Sequence, residues 1–492
     1  MEVFHGLIER FDITALNTLF GYFCILSVLL LLGKFLRGSS KLLQAGLIPA
    51  SMIGGFIGLA LGPYGLGKAL GAVWPGIEGG LAQVTLGISK LPVRLIDVVF
   101  ATMFLGVVIP SPRAIVRASA GQLAFAMLIG GPMQYVVGAL ITAGILIPLF
   151  HVDPTFAVFI EVGFCGGPGT AAGMAQAFKE GYRELGWAFP DGADLLFATA
   201  TIGILTATIV GMALVRLAIK RGFVNNPAGG LDGETDPLAH PWILPKESRY
   251  SIASATVSPV SIEPLALHVA LVFVAMLFGY ALDAGLSWVG SGLALLTGKT
   301  LVGVAFDAVP TFPLTMLGGL FLQLGLTKAG IAEIVDKDTL ERIQGASLEF
   351  LVVAAIASIN LPVLTEYFLP LLVLITLSVA FITLGTLYFG PRIFKRAWFE
   401  RSIVEFGMQT GVAAMGLMLL RIVDPRFKSG AIESFGLKQM IYEPFFGGGF
   451  VTAMAPLLVL VLGLPCFAAV MFGLSAVVVG LWWLFEGRKL AR

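Results

Sequence analysis

Long apolar runs punctuated by short polar breaks dominate the chain, and this pattern predicts membrane-crossing helices. A bilayer-spanning helix needs roughly 20 mostly apolar residues. Runs of that kind lie near 15–36, 46–62, 94–111, 119–149 and 193–216, and again near 263–285, 310–327, 346–364, 366–390, 445–463 and 466–486. Two further apolar stretches, 155–178 and 401–420, carry glycines that interrupt the run. The one long polar segment, about 222–262, contains Asn225, Asn226, Pro227, Asp232, Glu234 and Asp236 and divides the chain near its middle. The early run Leu19–Leu36 reads as a first transmembrane helix. Acidic residues precede it, and no small-residue cleavage site follows.

Composition turns this pattern into a solvent argument. Of the 492 residues, 57% are hydrophobic and 12% are charged, against about 25% charged in an ordinary soluble domain. So much apolar surface requires lipid as a solvent for much of the chain. Net charge is +1, so nothing points to nucleic acid, and the three cysteines form no CxxC pair. P-loop and HExxH patterns are absent and the four histidines have no metal-ligand spacing. ATP-driven pumping and zinc proteolysis are therefore disfavoured, and no cofactor is implied.

The two halves echo each other. Pro49-Ala50-Ser51-Met52-Ile53-Gly54-Gly55 returns as Pro313-Leu314-Thr315-Met316-Leu317-Gly318-Gly319, and Glu161-Val162-Gly163-Phe164 returns as Glu405-Phe406-Gly407-Met408. Internal repeats are a usual construction of secondary transporters. An outside N-terminus with both glycine-bearing segments re-entrant puts the polar linker and the C-terminus in the cytoplasm. Most of the 31 Lys and Arg then fall inside, Lys438 among them, leaving Arg10, Lys68, Lys90, Arg94, Lys179, Arg183 and Lys299 outside. The expected fold is an all-α integral membrane protein of two inverted five-helix repeats, each with a re-entrant or broken-helix segment, plus one extra C-terminal transmembrane helix. The boundaries are 1–221 for the first repeat, 222–262 for the linker, 263–463 for the second repeat, and 464–492 for the final helix and basic tail.

The chemistry concentrates at the glycine-bearing stretches. Cys165-Gly166-Gly167-Pro168-Gly169-Thr170 cannot continue a helix, because proline lacks an N–H and glycine is conformationally costly there. Unpaired backbone groups at membrane depth must face protein or a watery cavity, and a helix restarting near Thr170 would aim its free N–H groups at a carboxylate. Gly166, Gly167, Gly169 and Thr170 are thus candidate substrate-binding residues. On the other side Gln409, Thr410 and Gly411 are candidates, although that stretch has no proline or glycine pair and reads equally as a continuous helix. Glu161 and Glu405 sit just before these segments, where a charge costs at least ~2.5 kcal/mol. They read as cation-coupling residues, or else as partners of a nearby cation such as Arg401. Thr201 is a further cation-coupling candidate, against the plainer reading that its hydroxyl bonds back to a helical carbonyl.

Cys165-Gly-Gly-Pro-Gly-Thr170-Ala-Ala, Pro49–Gly55, Phe100-Ala101-Thr102 and Ala200-Thr201-Ile202-Gly203 resemble the bacterial sodium/glutamate symporter family. That resemblance covers most of 15–222 and continues more weakly through 263–463. It implies a homodimer in the inner (plasma) membrane, re-entrant segments meeting near the membrane centre, and sodium-driven glutamate uptake by an elevator-like movement. The family's first motif has serine and histidine where this chain has Cys165 and Pro168, and its second is richer in glycine than Glu405–Gly416. A small organic anion other than glutamate, H⁺ as the coupling ion, and cation/proton antiport through Glu161 and Glu405 are the other readings; a membrane-embedded enzyme is a further one.

Overall fold

The computed structural model describes residues 13–45, 48–71, 73–74, 76–107, 112–182, 185–224, 251, 253–297, 306, 309–425 and 427–487. Most of the polar linker, and the basic residues Arg488, Lys489 and Arg492, lie outside these. Among the described residues the architecture is helical, with a single isolated bridge between Tyr182 and Trp187. Eight helices are long and apolar enough to cross a membrane by length and composition, so the chain is an all-α membrane protein.

The longer helices are α1 (Ile13–Ser39), α2 (Ala50–Leu61), α3 (Ile77–Ile88), α4 (Leu91–Ala101), α5 (Pro112–Ile129), α6 (Gly131–Ile141), α7 (Gly167–Glu180) and α8 (Asp191–Arg221). They continue as α9 (Pro264–Thr297), α10 (Thr311–Lys328), α11 (Lys337–Ala357), α12 (Phe368–Ile393), α13 (Trp398–Val423), α14 (Ala431–Tyr442) and α15 (Phe450–Trp482). The expected span 346–364 begins earlier, at Lys337, behind an N-cap in which Asp336 accepts from the Thr339 N–H at 2.9 Å. Helices α3 and α14 correspond to no expected span. Each has 12 residues, too few to cross alone.

Two packed groups make up the molecule. In one, α1 lies on α2, α9 on α10, and α11 on α2 and α4. Small residues allow this closeness: the backbone of Gly54 meets Leu29, and Gly318 meets Ala275. Asp97, buried on α4, pins the same group by accepting from Tyr280 at 2.9 Å and Thr311 at 3.0 Å, with Arg94 3.7 Å away. The other group is built around α5, α6, α8, α12, α13 and α15, and the largest apolar core runs through it and on into the first group at Ile96, Phe100, Phe312, Met316 and Ile356.

Helix α8 serves as a ruler through the second group. Its 31 residues span about 46 Å, from Gly192 beside Phe178 and Phe189 to a C-terminus where Phe223 meets Trp398. Both broken hairpins pack along it.

Candidate functional site

Two helical hairpins enter from opposite ends of α8 and meet at its middle. The first begins at Pro154, where Asp153 accepts from the Thr155 N–H at 2.8 Å and from Trp187 Nε1 at 2.9 Å. It winds through a 3₁₀ turn and a π turn (Glu161–Cys165), breaks at Gly167, and returns as α7. An unbroken helix would hold Phe159 and Phe178 roughly 28 Å apart, yet their ring centroids are 5.8 Å apart. The chain doubles back. Gly167 has φ +67°, and a Cβ there would stand 2.2 Å from Val412 Cγ1, so the turn demands glycine twice over.

The second hairpin is α13, in which non-helical backbone at Gly411 and Val412 separates two arms. Gly407 and Gly416 would be roughly 14 Å apart along one helix, but a Cβ on Gly407 would fall 2.6 Å from the Gly416 Cα. This stretch is therefore a broken helix that doubles back, despite lacking proline or a glycine pair. Val412 takes the tip with φ +73° and ψ 164°, a region that is essentially glycine's and costs a side-chain-bearing residue about 1–3 kcal/mol. Its base lies by Phe223, the opposite end of α8 from the first hairpin's base. Both hairpins touch α8 near its middle: Gly163 lies against Thr199, and Gly203 against the Thr410 carbonyl.

A broken crossing completes the centre. Helix α14 runs beside the second hairpin from Ser434, bonded by Arg401 at 3.0 Å, to Tyr442, bonded by Gln409 at 3.1 Å. It ends there, and the Glu443–Gly449 segment crosses the level of the tips before α15 begins. Helix α15 is not one span: it carries φ +73° at Gly463. Leu457 sits with Tyr182 near the first hairpin's base. Beyond Gly463 the chain turns back, with Phe467 on Tyr135 at 5.4 Å and Ser475 donating to the Met127 carbonyl at 2.8 Å.

Glu161 and Glu405 are both fully buried, in different company. Glu161 Oε1 accepts from the Gly447 N–H at 2.8 Å and from Thr452 at 2.9 Å, while Tyr135 donates a short hydrogen bond to Oε2. Among the described residues no cation reaches it within ion-pair distance. Glu405 instead pairs with Lys438 at 2.8 Å and accepts from Gln409 at 2.8 Å and Gln122 at 3.0 Å. Arg401 is not its partner, and Lys438 is no cytoplasmic loop residue. It is completely buried on α14, because that short helix packs it beside the second hairpin against Glu405.

The remaining candidates divide. Thr170 donates to the Gly447 carbonyl at 3.5 Å, and Gln409 exchanges hydrogen bonds with Tyr442, whose hydroxyl lies 4.0 Å from Cys165 Sγ. Gly166, Gly167 and Gly169 form the opening of α7, whose first N–H groups lack helical acceptors. Thr410 and Thr201 bond back to the carbonyls of Phe406 and Phe197, at 2.7 and 2.8 Å. Thr170, Gln409 and Thr410 are all buried. An open groove of about 880 Å³ lined by Leu70, Trp74, Ile77 and Leu81 lies elsewhere.

Sequence reasoning missed Tyr135, Thr452, Lys438, Tyr442, Gln122 and Gln134. The two glutamines carried a readable signal, since amides inside the apolar run 119–149 are costly unless bonded. Gln134 donates to the Gln409 carbonyl at 2.7 Å, and its own oxygen has no protein partner. Lys438 gave no such signal, because its segment is too short to register as a span. No protein-family model, curated protein or solved structure matches the chain.

Proposed function

We propose that this chain is an ion-coupled secondary transporter, a symporter of glutamate or a related small organic anion driven by Na⁺ or H⁺. The observation that carries the reading is the meeting of two helical hairpins beside the middle of α8, with the open N-terminus of α7 and the unwound Glu443–Gly449 segment next to them. Broken helices at membrane depth suit ion and solute sites, with positive helix ends toward anions and carbonyls or carboxylates toward cations. Gly167, Gly169 and Thr170 offer donors to a carboxylate. Gln409 supplies an amide, and Glu161 supplies the negative charge that a coupling cation or proton answers.

The hairpins' opposite entries support two inverted repeats with an additional last helix. The division into two packed groups supports an elevator-like step, in which the hairpin group moves against the group of α1, α2, α4, α9, α10 and α11. A homodimer in the plasma membrane, with linker and C-terminus cytoplasmic, completes the reading. The test is uptake into proteoliposomes of labelled glutamate and a panel of small organic anions, under imposed Na⁺ or H⁺ gradients. Gradient-dependent accumulation of at least one anion is expected. If none moves under either gradient, the symporter reading fails.

A further inference from the structure

The two buried carboxylates occupy matching places on the first arms of the two hairpins, yet only one has a cation. Lys438 reaches Glu405 at 2.8 Å and Gln439 Oε1 at 2.5 Å. Its ammonium also faces the rings of Tyr442 at 4.3 Å and Phe435 at 4.9 Å. This shell of carboxylate oxygen, amide oxygen and two aromatic faces is what a dehydrated monovalent cation accepts. Glu443, just past the end of α14, accepts from Gln439 Nε2 at 3.4 Å at the rim of this shell. Glu161 is satisfied by three neutral donors and by no positive charge.

We infer that Lys438 is a tethered counter-cation, filling beside Glu405 the monovalent-cation position that on the Glu161 side is left to an exchangeable ion. Lys438 and Glu405 both belong to the hairpin group, so the pair travels together and needs no ion from solution. One coupling ion per cycle, held at Glu161, is the consequence. That consequence rests on the transport reading above; the tethered cation itself is tested without transport.

Thermal unfolding of the detergent-purified full chain is the measurement, with choline replaced stepwise by Na⁺, K⁺ or methylammonium at constant ionic strength. Lys438→Ala opens a space beside an uncompensated carboxylate. It is expected to gain a saturable rise in Tm of about 2 °C or more over the wild-type response, at roughly ten times the half-saturating concentration. The gain is expected to vanish in the Lys438→Ala/Glu405→Gln double variant. Should Lys438→Ala not purify folded, Lys438→Gln is read against its own Glu405→Gln partner, with the same gain expected. A response no larger than wild type, or one that persists in the double variant, overturns the proposal. Failure of wild-type uptake alone removes the transport reading and leaves this result standing.

Discussion

The two hairpins solve one geometric problem with different chemistry. The first turns on Gly167 at φ +67°, supplied by a Gly-Gly-Pro-Gly run that admits no helix. The second turns on Gly411 and a strained Val412, held in place because Gly407 and Gly416 let its arms lie against each other. The first therefore has its break written locally, while the second has its break imposed by packing. Their carboxylates differ in the same spirit. Glu161 anchors the Glu443–Gly449 segment through hydrogen bonds, and Glu405 is locked into an ion pair. Equal placement does not imply equal surroundings: Glu161 meets neutral donors, and Glu405 meets the Lys438 ammonium.

Substitutions can break this contrast, beginning with the largest effect. Lys438→Met leaves Glu405 charged and unpaired in the core and is expected to cost about 3–5 kcal/mol. Adding Glu405→Gln should recover most of that loss, read as thermal stability in detergent. Next is Gly416→Ala, whose Cβ would lie 2.2 Å from the Val404 carbonyl oxygen. Prying the hairpin arms apart is expected to cost about 1–3 kcal/mol and to lower uptake with it.

Glu161→Gln keeps an acceptor for the Gly447 N–H but removes the charge. It is expected to cost only about 1 kcal/mol, while the cation or proton dependence of uptake disappears. Equal stability losses for Glu161→Gln and Lys438→Met would erase the distinction between the hairpins. Val412→Gly has the opposite sign: relief of the tip strain, less the entropy glycine brings, should stabilise by about 1 kcal/mol.

The smallest effect lies outside both hairpins and serves as their control. Burial pushes the Asp336 carboxyl up, but hydrogen bonds from Thr339 and Ser254 outweigh it and hold the pKa below the ordinary value. A depressed folded pKa means stability present above the unfolded value and lost as pH falls through the folded one. Asp336→Ala should therefore cost about 1 kcal/mol at neutral pH. The deficit should fade in acid when unfolding is followed across pH.

Hydropathy, glycine placement and charge bias determined from the sequence alone that this is a helical membrane protein with a break near Gly166–Gly169. Those signals are local, since lipid solvates each run of about 20 residues independently and a proline or glycine pair acts on its own turn. The turn at Gly463 falls where the sequence separates the runs 445–463 and 466–486, whereas only the tertiary structure decided that α13 doubles back, that an unwound segment joins α14 to α15, and which groups answer the buried charges. Glu161 meets Gly447 and Thr452, and Glu405 meets Gln122 and Lys438, partners far away in the chain. A carboxylate in a low-dielectric core takes whatever donor the packing brings. Spacing along the chain carries no record of that choice.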